Sequence, residues 1–84
     1  MNEVYRKFLF ENDPEIIAAW KMVQKKEMTQ ANFDRGLNNS AENIATGLEF
    51  RAEQNGCSIS EAWEQCKKDY LDIFERTKDH FSKF

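Results

Sequence analysis

The C-terminal third of this chain carries an amphipathic pattern that no residue interrupts. Residues 58–84 contain neither glycine nor proline, and their apolar side chains recur every three or four residues, as on one face of an α-helix. Ser58 and Glu61 have the spacing of a capping box at a helix N-terminus. The sequence therefore predicts one helix of about 26 residues, which spans about 39 Å at the rise of an α-helix.

This predicted helix is long for the chain that carries it. A compact domain of 84 residues has a diameter of roughly 30 Å, so one end of the helix should protrude. The other helices are least able to cover its aromatic second half, and an uncovered apolar face is typical of an association surface. We expect this face to bind another protein or a second copy in a homodimer, through Tyr70, Leu71, Phe74, Thr77, Phe81 and Phe84.

The alternative is that the other helices cover this face completely and that its phenylalanines belong to the core. Thr77 and His80 lie along the same face of the predicted helix. Core positions seldom hold threonine or histidine, so these two residues favour a partner surface over a core.

Four shorter helices are predicted before the long one. Asp13 is a favourable N-cap and Pro14 a favourable first helical residue, so these two residues divide the first helix from the second. Gly36 and the pair Asn38 and Asn39 tolerate a positive φ and predict a turn. The predicted helices, with their caps, cover residues 2–11, 14–27, 29–35, 40–55 and 58–84. We expect an all-α fold, a small orthogonal or bundle-like domain of five helices over residues 1–84.

Residues 29–48 contain the signals of a two-helix motif in order. Thr29 opens one helix, Asn38 stands at a polar turn, Ser40 caps a second helix, and Ile44 anchors it. This order resembles the helix-turn-helix of phage-repressor-like regulators, in which the second helix lies in the major groove of DNA. The resemblance implies a DNA-binding transcriptional regulator, and the residues placed for DNA contact would be Lys25, Lys26, Arg35, Ser40 and Asn43.

Charge favours a protein partner over nucleic acid. The chain has a formal net charge of −3, and residues 40–49 contain two glutamates and no lysine or arginine. Neutralising phosphate groups supplies much of the affinity of any protein for DNA. DNA binding is therefore the second of the two functional hypotheses, and protein binding is the first.

Enzymatic chemistry is not expected from these residues. His80 is the single histidine, and no second ligand stands at a metal-binding spacing from it. Cys57 has no histidine near it in the sequence that could act as a base. The three glycines are too far apart to form a phosphate-binding loop. We expect a non-enzymatic regulatory or adaptor protein with no cofactor and no metal.

The cysteines and the absence of apolar runs bear on the compartment. Cys57 and Cys66 would lie about 13 Å apart along a helix, beyond the reach of a disulfide, and free thiols are typical of reducing compartments. The first residues lack the layout of a signal peptide, and no apolar run is long enough to span a bilayer. The expectation is a cytoplasmic protein that does not bind membranes.

Overall fold

A computed structural model describes residues 2–82 and shows four α-helices around one apolar core. They are α1 (Asn2–Asn12), α2 (Pro14–Gln24), α3 (Gln30–Asn55) and α4 (Ile59–Phe81). The described residues form no strand, so the predicted all-α class is confirmed. None of these four helices is long and apolar enough to cross a bilayer. The fold measures 45 × 26 × 14 Å, and α3, with 26 residues, is about 39 Å long.

Local sequence signals explain where most of the helices begin and end. The Asp13 side chain accepts a hydrogen bond from the N–H of Glu15 (2.9 Å) at the start of α2. Thr29 and Ser58 cap α3 and α4 in the same way. Gly56 ends α3 with a φ of 62°, in the left-handed region that favours glycine. Three of the four predicted N-caps, those at Asp13, Thr29 and Ser58, and the predicted end after residue 55 are confirmed.

Residues 30–55 form one uninterrupted helix, so the turn predicted around residues 36–40 is wrong. The buried side chains of α3 keep a spacing of three or four residues across that segment. They are Phe33, Leu37, Ala41, Ile44, Leu48 and Ala52. Because this stripe stays in phase through Gly36 and Asn39, packing against the other helices outweighs the weak helix propensity of these two residues. Four helices therefore replace the predicted five, and α3, not α4, is the longest.

The end of α2 also differs from the prediction. The helix ends at Gln24 and not at residue 27, and Lys26 adopts a φ of 63°. The N–H of Glu27 donates to the carbonyl of Met22 (2.8 Å), which is the Schellman pattern of a helix C-terminus. Glycine is the usual residue at the left-handed position, and the sequence has lysine there. Residue types alone therefore gave no signal for this end.

Aromatic side chains of α1 connect it to the helices on either side. Tyr5 and Phe8 contact Trp63 of α4, with ring centroids 4.9 and 5.1 Å away. Phe10 contacts Trp20 of α2 at 5.5 Å. Contacts with this edge-on geometry contribute about 0.5–1.5 kcal/mol each beyond simple burial. α1 thus fixes the positions of α2 and α4 relative to each other.

Phe74, in the second half of α4, is packed against the rest of the fold, so the predicted uncovered aromatic face is wrong for this residue. This side chain is only 9% exposed, and its ring centroid lies 6.1 Å from that of Phe8 in α1. Asn12 and Pro14, where α1 meets α2, lie against the same part of α4. The start of α2 therefore reaches the segment that was expected to protrude.

Gly36 provides a test of the continuous α3, because it lies at the predicted turn. A Cβ added at this position would meet no neighbouring atom within 4 Å, so no close helix contact requires glycine. We expect Gly36→Ala to raise the free energy of unfolding by about 0.5–1 kcal/mol, because alanine loses less backbone entropy in a helix. Urea denaturation measures the change. Gly56→Ala is the control and should destabilise, since its φ is 62°; a destabilising Gly36→Ala would contradict the continuous helix.

Candidate protein-binding groove

A groove of about 360 Å³ lies between α2 and the second half of α4. Phe74 of α4 and Ile17 of α2 form its apolar floor, and Leu71 borders it with 45% of its surface exposed. Lys21 and Lys78 stand on the two helices that bound it. We call the surface formed by Ile17, Lys21, Leu71, Phe74 and Lys78 the α2–α4 groove. It combines a concave apolar floor with charged sides, as peptide-binding grooves do.

The charges of the α2–α4 groove have the opposite sign to the chain as a whole. Lys21 and Lys78 supply two positive charges, and Glu75 is the one carboxylate that borders the groove, on a chain with a net charge of −3. Neither lysine forms an ion pair with any of residues 2–82. Both ammonium groups are therefore available to the carboxylates of a partner.

The first three residues predicted for partner binding have separate environments. Leu71 is exposed at the edge of the α2–α4 groove, whereas Phe74 is buried beneath it. Tyr70 is half-buried and stacks on Phe74, with centroids 5.8 Å apart and an interplanar angle of 27°. Of these three side chains, only that of Leu71 presents a large apolar surface to a partner.

The remaining predicted partner residues lie further along α4. The Thr77 hydroxyl donates to carbonyl oxygens of its own helix, at 3.2 and 3.3 Å. Phe81 is half-buried and meets the ring of His80 edge-on at 4.9 Å. Phe84 lies outside the described residues. The polar character of Thr77 is thus satisfied within α4 and does not indicate a wet interface.

The residues placed for DNA contact do not form a two-helix motif. Lys25 and Lys26 follow the last residue of α2, and Arg35 is exposed on α3. Ser40 and Asn43 lie in the middle of α3, so Ser40 does not cap a helix. No turn separates two helices within residues 30–55. The structural basis of the resemblance to a helix-turn-helix is therefore absent from this segment.

The side chains considered for catalysis or metal binding stand apart from one another. Cys57 and Cys66 are half-buried free thiols, and His80 is exposed on α4. Over residues 2–82, no group of three or more histidine, cysteine or carboxylate side chains could hold a metal ion. That the protein is not an enzyme stays a prediction.

Three residues of the α2–α4 groove carry no sequence signal of partner binding. Ile17 lies on the apolar stripe of α2, a pattern typical of core residues. Lys21 and Lys78 lie in the last turns of their helices, where a cation complements the helix dipole. Their spacing within each helix is ordinary, and only the packing of α2 beside α4 brings them together. No signal in the one-dimensional pattern could have identified them.

Comparison with protein-family models, with curated proteins and with solved structures finds no match for this chain.

Two neighbouring residues of the groove should respond differently to truncation. Phe74→Ala is expected to lower the free energy of unfolding by about 3–5 kcal/mol, because it leaves a cavity among buried rings. Leu71→Ala should lower it by less than about 1 kcal/mol, because nearly half of that side chain is already in water. Urea denaturation of both variants measures the contrast. Equal losses would show that Leu71 is a core residue and would remove it from the candidate surface.

The carboxyl of Asp13 should make the free energy of unfolding depend on pH. Burial raises the pKa of this carboxyl above its ordinary value of 3.8, although the N–H of Glu15 lowers it. A raised folded-state pKa stabilises the fold at acidic pH, and that contribution is lost as pH rises through it. Asparagine caps a helix as well as aspartate does and does not titrate. We therefore expect Asp13→Asn to gain stability relative to wild type between about pH 3 and pH 7.

Urea denaturation at several pH values in that window tests the direction. Asp13→Ser is a second cap that does not titrate, so it should show the same trend as Asp13→Asn. If both variants instead lose stability relative to wild type as pH rises, the ionised carboxylate stabilises α2 and burial is not the dominant effect at this position.

Proposed function

We propose that this protein is a non-enzymatic adaptor or regulator that binds an amphipathic, acidic helix of another protein in the α2–α4 groove. The observation that carries the proposal is the position of Leu71. It is a large apolar side chain, 45% exposed, at the edge of a concave apolar floor that two unpaired lysines border. Water contact at such a surface is unfavourable, and an apolar partner side chain would remove it.

The apolar and charged side chains of the groove favour a partner with complementary side chains. Its apolar floor fits leucine-like side chains spaced three or four residues apart on one face of a helix. Lys21 and Lys78 favour carboxylates on the flanks of that face, since complementary charges accelerate association and exclude cationic competitors. A segment with an apolar stripe and glutamates or aspartates beside it therefore fits best.

A symmetric homodimer through the same groove fits less well. In a twofold dimer the same patch of both copies meets, so two grooves that each carry Lys21 and Lys78 would face each other. The groove has a net positive charge, and facing it with a second positive groove costs electrostatic free energy. The charge pattern thus favours a different protein over a second copy.

Binding of a defined peptide tests the proposal. Peptides are selected against the full chain from a displayed library of randomised helical 18-residue sequences, and their affinities are measured by fluorescence anisotropy. The enriched peptides should carry an apolar stripe flanked by acidic residues. Leu71→Asp should weaken their binding at least about tenfold, which corresponds to 1.4 kcal/mol. Lys78→Glu should weaken it several-fold and reduce its dependence on salt.

Matched controls lie on the same helix outside the groove. Ile73 is 50% exposed and does not border the groove, so Ile73→Asp should leave peptide affinity unchanged. Lys68→Glu makes the same charge change on an exposed residue of α4. Peptides that bind Leu71→Asp as tightly as wild type, or that are sensitive to Ile73→Asp instead, would overturn the proposal. Light scattering of wild type reports the oligomeric state, and a stable dimer that Leu71→Asp dissociates would replace the partner by a second copy.

A further inference from the structure

A second cavity shares Phe74 with the α2–α4 groove. It has a volume of about 200 Å³, is open to solvent, and is lined by residues of the α1–α2 junction, α3 and α4. Its apolar walls are Leu9, Ile44 and Phe74, all of which are buried core residues. A depression that reaches the core between three helices is a common form of small-molecule site.

Four polar side chains also line this cavity. They are those of Asp13, Ser40, Asn43 and Tyr70. The side chains of Ser40, Asn43 and Tyr70 make no hydrogen bond with any of residues 2–82. Asp13 accepts from the backbone of α2 through Oδ1, and a carboxylate has lone pairs for further donors. The cavity therefore presents a hydroxyl, an amide, a phenol and a carboxylate that can each form further hydrogen bonds with a ligand.

The electrostatics of the cavity favour a cation. Asp13 is the one charged residue among those that line it, so no lysine or arginine neutralises its carboxylate there. Burial raises the pKa of Asp13 and of Tyr70, the two groups with a resolved shift, and perturbed groups tend to collect at functional sites. The C-terminus of α1 and the N-terminus of α2 meet here with opposite partial charges, which offset each other. Asp13 thus supplies the one formal charge among the residues that line the cavity, and Arg51, which also acts on Tyr70, lies outside that lining.

We propose that this cavity binds a primary alkylammonium group. The ammonium would donate its three N–H groups to the Asp13 carboxylate, the Ser40 hydroxyl and the Asn43 side-chain carbonyl. The alkyl chain would lie along Leu9 and Ile44, and the ring of Tyr70 would face the cation. Five non-hydrogen atoms need about 150 Å³ at the share of volume that one water molecule takes in the liquid, so a butylammonium ion fits the space.

The same group occurs in two sources, a free amine and the lysine side chain of a protein. A titration of the ¹⁵N-labelled full chain by NMR separates them, with n-butylammonium chloride as one probe and Nα-acetyl-lysine N-methylamide as the other. Both should produce saturable shifts at the amides of Asp13, Ser40, Asn43 and Tyr70. Saturation by n-butylammonium alone assigns the site to free amines, whereas saturation by both admits a lysine of a partner. The neutral 1-butanol should produce no saturable shifts at these positions.

Two variants test the assignment independently. Asp13→Asn keeps the helix cap and removes the charge, so it should weaken binding at least about tenfold, a loss of 1.4 kcal/mol. Asn43→Lys places a competing cation at the mouth of the cavity and should abolish binding. Because Asn43 is exposed on a helix, this substitution does not disturb the core and tests the site without any change at the helix cap.

Matched substitutions outside the cavity complete the test. Asp72→Asn removes the same charge from an exposed position of α4, and Asn38→Lys adds the same cation at an exposed position on a different face of α3; both should bind as wild type does. The proposal is overturned by shifts that do not saturate, by equal affinity of wild type and Asn43→Lys, or by saturable binding of 1-butanol at the same amides.

Discussion

The apolar stripe of α3 is the constraint on which the other three helices depend. Its six buried side chains run from Phe33 to Ala52, and α1, α2 and α4 all pack against this helix. A chain of 84 residues buries only a modest share of its surface on folding, so it has little stability to spare. A break in α3 would divide the stripe into two short faces, neither able to organise the rest of the fold. The burial that one continuous helix allows therefore outweighs the low helix propensity of Gly36 and Asn39.

The aromatic contacts of α1 determine where concave surfaces form around this core. Phe8 lies between Trp63 and Phe74, which holds α1 against the middle of α4. Pro14 follows α1 after a single residue, so α2 has to start close to α4. The space that remains between α2 and α4 is the α2–α4 groove, and the space between the α1–α2 junction and α3 is the smaller cavity. Both concavities result from one short connection.

The sequence was sufficient for the helical class and for most helix boundaries, because those depend on neighbouring residues. Asp13, Thr29, Ser58 and Gly56 act as caps within one turn of the helices that they delimit, and each was identified correctly. The same local reasoning placed a turn at Gly36 and Asn39, where the structure has helix. At these two residues the local preference is outweighed by the packing of α3 against side chains of the three other helices.

The composition of the candidate sites could not be predicted for a related reason. Leu71 was expected at a partner surface and does border the groove, but Phe74 was expected to be exposed and is buried. A helical pattern gives the direction of each side chain around the helix axis, but it does not show which other helix that side chain faces. Ile17 and Lys21 meet α4 only because the aromatic contacts of α1 set the position of α2, which no spacing along the chain encodes.

Phe74 lines two concavities of opposite charge. The α2–α4 groove has Lys21 and Lys78 around an apolar floor, whereas Asp13 is the single charged residue that lines the second cavity. The first therefore repels cations and the second attracts them, and anions experience the reverse. A ligand in either concavity would contact the same buried ring. Because that ring also contacts Phe8 of α1 and Tyr70, a ligand that displaced it would also alter the contact between α1 and α4.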